Sequence, residues 1–127
     1  MNRVVVGIGS NIDPALNITK AKQKLGRKHR VIATSSFIET KPIGYLDQSH
    51  FVNGAILIDT EMGYEELRDW LRGLEKALGR IRGENKYGPR TIDLDIVVWN
   101  GKVVDEDVYE RGFLIDSILE VCPDLRI

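Results

Sequence analysis

Cysteine is nearly absent: Cys122 is the only one in 127 residues. No internal disulfide can form, and a reducing cytoplasm is the expected compartment. Long apolar runs are absent too. A membrane span needs about 20 apolar residues, and every apolar stretch here is interrupted well before that. The opening Met1-Asn2-Arg3 followed by valines has no signal-peptide pattern, so no export is expected. Nor is there an excess of one charge, since 18 Lys and Arg against 19 Asp and Glu leave a net charge of −1. That balance excludes a generic polybasic binder of nucleic acid or membrane, though not a local basic cluster. Histidine is limited to His29 and His50, neither in a metal-ligand cluster. The Gly-x-x-x-x-Gly-Lys-[Ser/Thr] phosphate loop is missing. After Gly7-x-Gly9 the third glycine of a dinucleotide fingerprint is replaced by Ile12.

What is present is ordinary globular composition, 43% hydrophobic and 29% charged. The length suits one domain spanning 1–127, with a core large enough to need no staples. Val4-Val5-Val6 reads as a strand running into a turn at Gly7–Asn11 that needs its glycines. Asp13-Pro14 reads as an N-cap opening a helix to Leu25, which Gly26 stops. Val31 to Glu39 and Phe51 to Asp59 read as antiparallel strands flanking a Pro42/Gly44 loop. Glu61 to Leu78 carries Leu67, Trp70, Leu71, Leu74 and Leu78 at helical spacing. A glycine-rich basic loop (79–89) precedes a strand from Ile92 to Trp99. Asn100-Gly101 marks a hairpin, and Gly112 to Val121 a short closing helix. The order implies an α+β, ferredoxin-like βαββαβ fold: an antiparallel sheet, helices on one face, an added hairpin and a short C-terminal helix.

The segment Lys86-Tyr87-Gly88-Pro89-Arg90-Thr91-Ile92-Asp93-Leu94-Asp95-Ile96-Val97 is the richest in chemistry. Strand alternation puts Asp93 and Asp95 on one face, roughly 7 Å apart, and Ile92, Leu94 and Ile96 on the core face. Two carboxylates that close repel unless a cation compensates. Magnesium, a hard cation preferring carboxylate, water and phosphate oxygens, suits the pair. A solvated strand face with Arg90 or Lys86 as counter-ion is the plainer alternative. Arg80, Arg82, Lys86 and Arg90 give the preceding loop the forks that match phosphate oxygens, or else an ordinary charged surface. Phe51 and Asn53 share a strand face, one offering a ring and the other an amide that can read the edge of a planar heterocycle. Phe113, after Arg111-Gly112, offers a second wall. Core packing is the alternative for both rings. Cys122 reads as inert core.

With these residues in place, the chain resembles the 6-hydroxymethyl-7,8-dihydropterin pyrophosphokinase family. The likeness runs from Gly7-Ile8-Gly9-Ser10-Asn11 through Asn53 to Arg111-Gly112-Phe113, and Lys86 to Val97 matches the family signature. The resemblance implies diphosphate transfer from ATP to the pterin hydroxymethyl group, with release of AMP, in folate biosynthesis. It implies two magnesium ions at Asp93 and Asp95, and Arg82, Arg90, Asp93 and Asp95 as the catalytic set. ATP would be met by Glu75, Arg82, Arg90, Ile96 and Arg111, with Arg80 a weaker candidate. The pterin would be met by Thr40, Ile43, Phe51, Asn53, Tyr87 and Phe113. One departure stands out. Asp105 to Glu110 is short, acidic and without histidine, where family members usually carry a histidine-containing segment that helps hold the nucleotide. A binding relative with altered transfer, or a non-catalytic interaction module, are the competing readings.

Overall fold

The computed structural model describes residues 1–42, 44, 46–81 and 88–127. The chain runs β1 (Asn2–Ser10), α1 (Pro14–Lys28), β2 (Arg30–Thr34), β3 (Ile38–Thr40), β4 (Phe51–Thr60), α2 (Tyr64–Ala77), β5 (Asp93–Trp99), β6 (Lys102–Val103), a 3₁₀ turn (Glu106–Glu110) and α3 (Gly112–Val121). The six-stranded sheet has the order β2-β4-β1-β5-β6, with β3 also pairing β4. All pairings are antiparallel. The fold is α+β and ferredoxin-like, as the element order implies.

Alternation along the strands sorts the side chains into two layers. Val4, Val6 and Ile8 of β1, Ile56 and Ile58 of β4, and Leu94 and Ile96 of β5 face α1 and α2. The helices answer with Ile18, Ala21 and Leu25, and with Leu67, Leu71 and Leu74. Each such Val, Leu or Ile side chain contributes about 1.5–3 kcal/mol on burial. The opposite face does not stay bare. Val5, Ala55, Leu57, Val97 and Val98 pack there with Ile118 and Val121 of α3 and with Val108. The expectation of helices on one face therefore holds for α1 and α2 only. Cys122 is half-buried against this second layer. Among the described residues no helix is long and apolar enough to cross a membrane.

Four local readings change. Gly7 and Gly9 are not in a turn; both sit inside β1, paired on either side. Asp13 precedes α1 in a left-handed conformation, and its side chain makes no capping bond. Asn17 Nδ2 instead donates to the Ile12 carbonyl at 2.6 Å. Gly26 does not stop α1, which continues to Lys28. The stretch Val31 to Glu39 is two strands, not one. At the break, Ser36 donates its backbone N–H and its hydroxyl to Glu120 Oε1, both at 2.9 Å. Phe37 lays its ring over Gly54, where a Cβ would come within 2.8 Å of ring atoms. The Asn100-Gly101 hairpin forms as expected, both residues having positive φ.

Candidate active site

The site lies on the α3 face of the sheet, at the end of β1 reached last by the chain. Register aligns it in rows. Asn53 of β4, Gly9 of β1 and Asp93 of β5 lie across from one another, and Ala55, Gly7 and Asp95 form the next row. The two glycines make a floor with an amide on one flank and two carboxylates on the other. At Gly9 the floor must be bare, because a Cβ there would stand 2.6 Å from Asn53 Oδ1. The amide is held from its other end by Asn53 Nδ2 donating to Thr40 Oγ1 at 2.6 Å. A cavity over this floor is lined by Asn53, Asp93, Asp95, Arg111 and Phe113, with Leu114 and Ser117 of α3 behind.

Asn11, at the end of β1, ties together the two loops beside this cavity. Its Oδ1 accepts from the Arg90 backbone N–H at 2.8 Å, and its Nδ2 donates to Gln48 Oε1 at 2.8 Å and to the Ser49 carbonyl at 3.1 Å.

The carboxylates are wrapped in arginine. Asp93 meets Arg80 Nη1 at 2.9 Å and Arg90 Nη1 at 3.1 Å. Asp95 meets Arg72 Nη2 at 3.1 Å. Behind them Glu75, only 2% exposed, accepts the Leu94 backbone N–H at 2.8 Å and pairs with Arg80 at 2.7 Å and Arg72 at 2.9 Å. The two aspartates consequently separate in acidity. Burial works against ionising Asp93, but Arg80 and Arg90 outweigh it and hold its carboxyl below the usual range. Burial, together with the neighbouring charge on Asp93, pushes Asp95 up to about 7 against the pull of Arg72.

Asp95 also lines an adjoining cleft of about 400 Å³, walled by Tyr64, Arg68, Arg72 and Ile96, which shares Asp105 and Asp107 with the first cavity. Val104 and the acidic segment Asp105–Asp107 close that cleft. Arg111 is drawn toward this segment, its Nη2 lying 3.5 Å from Asp107 Oδ2. Phe51, on the same face of β4 as Asn53, lies under the Arg90 guanidinium, whose Cζ is 5.4 Å from its ring centroid.

The structure thus brings together Asp93, Asp95, Arg90, Asn53, Thr40, Phe113 and Arg111 around one cavity and its rim. Glu75 reaches the site only through the arginines it holds, and Ile96 is shared between core and cleft. Ile43, Arg82 and Tyr87 lie outside the described residues. Sequence reasoning missed Arg72. The available signal was a basic residue one helical turn before Glu75, on a helix whose partner strand carries the aspartates. Arg80, the weaker candidate by resemblance, pairs with both Glu75 and Asp93. Among the described residues, no group of three or more His, Cys, Asp or Glu is placed to hold a metal ion by itself.

Comparison with known proteins bears on this geometry. The family model for 7,8-dihydro-6-hydroxymethylpterin-pyrophosphokinase matches residues 5–123. A 2-amino-4-hydroxy-6-hydroxymethyldihydropteridine pyrophosphokinase of Methylorubrum extorquens is 38% identical over 138 aligned positions, covering 100% of this chain and 87% of that one. The protein of the same name in Bacillus subtilis is 34% identical, over 99% of this chain and 82% of its own. The mitochondrial folate synthesis bifunctional protein of Pisum sativum is 37% identical over 93% of this chain and 25% of its own length. The alignment to the Methylorubrum protein is longer than this chain, so that relative carries residues with no counterpart here.

Proposed function

The chain belongs to the 7,8-dihydro-6-hydroxymethylpterin-pyrophosphokinase family, and from that premise we propose that the glycine-floored cavity and its two aspartates are where the transfer occurs. The reaction is the pyrophosphokinase step of folate synthesis. The hydroxymethyl oxygen of 6-hydroxymethyl-7,8-dihydropterin forms a bond to the β-phosphorus of ATP. The bond from that phosphorus to the oxygen bridging to the α-phosphate breaks, AMP leaves with that oxygen, and the hydroxyl proton is released to solvent.

The observation that carries the site assignment is the row Asn53–Gly9–Asp93. A planar heterocycle laid over Gly9 has its edge at the Asn53 amide, which Thr40 holds in one orientation. Its other end then points toward the carboxylates. Phe113 lines the cavity and offers its ring to the heterocycle. Ile43, Phe51 and Tyr87 complete the proposed pocket. The nucleotide takes the adjoining cleft beside Asp95, against Ile96. Arg90 and Arg82 take phosphate oxygens, with Arg111 and Arg80 within the same circle of charge. Glu75 serves that nucleotide by aiming Arg72 and Arg80.

The donor set fits magnesium. Asp93 and Asp95 are hard oxygen donors on one face of a paired strand, the two carboxylates disfavour joint ionisation, and a divalent cation between them would favour it. Magnesium bound there with the triphosphate would neutralise charge on the phosphates as the bond to AMP breaks. The residues themselves supply positioning. Asp93 and Asp95 are held by backbone pairing to Gly9 and Gly7, so their geometry does not depend on a loop. A cytoplasmic site of action belongs to the same proposal.

The test is to incubate the protein with ATP, magnesium and 6-hydroxymethyl-7,8-dihydropterin and measure pterin-dependent AMP. ADP in its place would mean transfer of one phosphoryl group and overturn the reaction. The acidic lining of Asp105–Asp107 in the nucleotide cleft favours weak nucleotide affinity as the second reading. Bound pterin without AMP would favour a degenerate relative and point to the acidic segment. Asp95→Ala should lower turnover by more than roughly a hundredfold, beyond the losses typical of supporting residues, while leaving the melting temperature near that of the parent. An active Asp95→Ala protein would remove Asp95 from the site.

A further inference from the structure

Among the described residues, the edge of β5 along Leu94 faces no strand, because β6 pairs only Val98 and Trp99. A bare edge leaves backbone donors and acceptors to be satisfied otherwise. Two side chains of α2 do this. Glu75 accepts the Leu94 N–H at 2.8 Å, and Arg72 Nη1 donates to the Leu94 carbonyl at 2.8 Å. The same Arg72 pairs with Glu75 at 2.9 Å and turns its Nη2 to Asp95 Oδ1 at 3.1 Å. Its guanidinium is therefore fixed at three points, and it also lines the cleft beside Asp95. Asp95 thus carries a fork-shaped counter-ion before any ligand arrives.

We propose that Arg72 is a positioning residue that acts as the resident counter-ion of Asp95, so that a divalent cation is held there tightly only when a nucleotide in the adjoining cleft draws the guanidinium's charge toward its phosphates. The inference rests on the reading of Asp93 and Asp95 as metal ligands. Arg80 and Arg90 guard Asp93 in the same way, so free enzyme binds metal weakly and metal and nucleotide enter together. A merely structural Arg72 would have the opposite signature, since loosening the β5 edge would weaken cation binding.

The experiment is a Mn²⁺ titration of nucleotide-free protein followed by electron paramagnetic resonance, with melting temperatures in parallel. Arg72→Gln should tighten Mn²⁺ binding by roughly three- to tenfold, the effect of removing one partly exposed opposing charge. Arg72→Lys, which restores charge without the fork, should fall between Arg72→Gln and the parent. Lys76→Gln removes an exposed charge from the same helix and should change affinity less than twofold. With saturating ATP the difference between parent and Arg72→Gln should shrink. Unchanged or weaker Mn²⁺ binding in Arg72→Gln overturns the proposal. If that variant does not fold, Arg72→Lys decides, and affinity no tighter than the parent overturns it. Asp95→Asn separates the two levels. Loss of Mn²⁺ binding there supports the metal reading, and retention of parental affinity overturns that reading and this proposal with it.

Discussion

Replacing Gly9 with alanine puts one methyl group at the centre of the proposed pterin floor. The new Cβ would lie 2.6 Å from Asn53 Oδ1, whereas ordinary contact begins near 3.4 Å, so the amide must retreat by roughly 0.8 Å. It has little room to do so. The Asn53 backbone is locked opposite Gly9 in the β1–β4 ladder, and its Nδ2 is tied to Thr40 at 2.6 Å. Turning the amide away breaks that bond, at about 1 kcal/mol, and residual overpacking costs about 1–3 kcal/mol. A total loss of about 2–4 kcal/mol in stability is expected, read from urea unfolding. The displaced amide also ceases to meet the heterocycle. One or two hydrogen bonds at about 0.5–1.5 kcal/mol each correspond to roughly three- to hundredfold weaker pterin binding. Calorimetric titration with 6-hydroxymethyl-7,8-dihydropterin reads this directly. A double-mutant cycle makes the reasoning strict: in an Asn53→Ala background Gly9→Ala should cost little further affinity, because both act through one amide. Additive losses would refute it, as would pterin affinity within twofold of the parent in Gly9→Ala alone.

Three further outcomes are expected. Gly73→Ala, inside α2 where an added Cβ meets nothing within 4 Å, should stabilise the protein by about 0.5–1 kcal/mol; a lowered urea midpoint would contradict it. His29 is 7% exposed, with Nδ1 2.9 Å from Thr60 Oγ1 and the Trp70 ring edge-on at 4.6 Å. Burial first, and Lys28 second, push its pKa below 6.5. The unfolded chain therefore takes up the proton first. The stability contributed by neutral His29 is complete above about pH 6.5 and is lost as pH falls below it. The stability gap between parent and His29→Gln should narrow from pH 7.5 to pH 5 in urea titrations, and a gap independent of pH would refute the assignment. Phe113→Ala should weaken pterin binding by roughly tenfold, as for a lost ring contact in a pocket, with a smaller effect on melting. The reverse pattern would make Phe113 a packing residue.

Much of the fold was legible because its signals are local. Alternation alone put Leu94 and Ile96 in the core and turned Asp93 and Asp95 together to the other face. The leucines of α2 were legible from their spacing, Asn100-Gly101 from its turn chemistry, and α3 from Gly112 to Val121 at both ends. Two of the misreadings fall where a distant partner decides. Val31 to Glu39 is rich in β-branched residues and reads as one strand, yet Glu120, 84 residues away from Ser36, accepts the hydrogen bonds at its interruption. Gly7 and Gly9 invited a turn because a glycine pair in isolation suggests one. Their purpose shows only when β4 and β5 are set beside β1, since a Cβ at Gly9 offends no neighbour in sequence but collides with Asn53.

The site divides along the same line. Residue types and spacing by themselves determined that two carboxylates share a rigid strand, that a basic loop precedes them, and that an amide and rings are available for a heterocycle. These follow from the period of a strand and from side-chain chemistry. The tertiary structure alone decided which arginine answers which aspartate, that Glu75 is buried as their anchor, and that Arg72 belongs to the site at all. An ion pair between helix and strand depends on the helix's rotation and on an open strand edge. Neither is written in the local sequence: the rotation is set by how α2 packs its leucines against the sheet, and the open edge by how little of β5 the short β6 pairs.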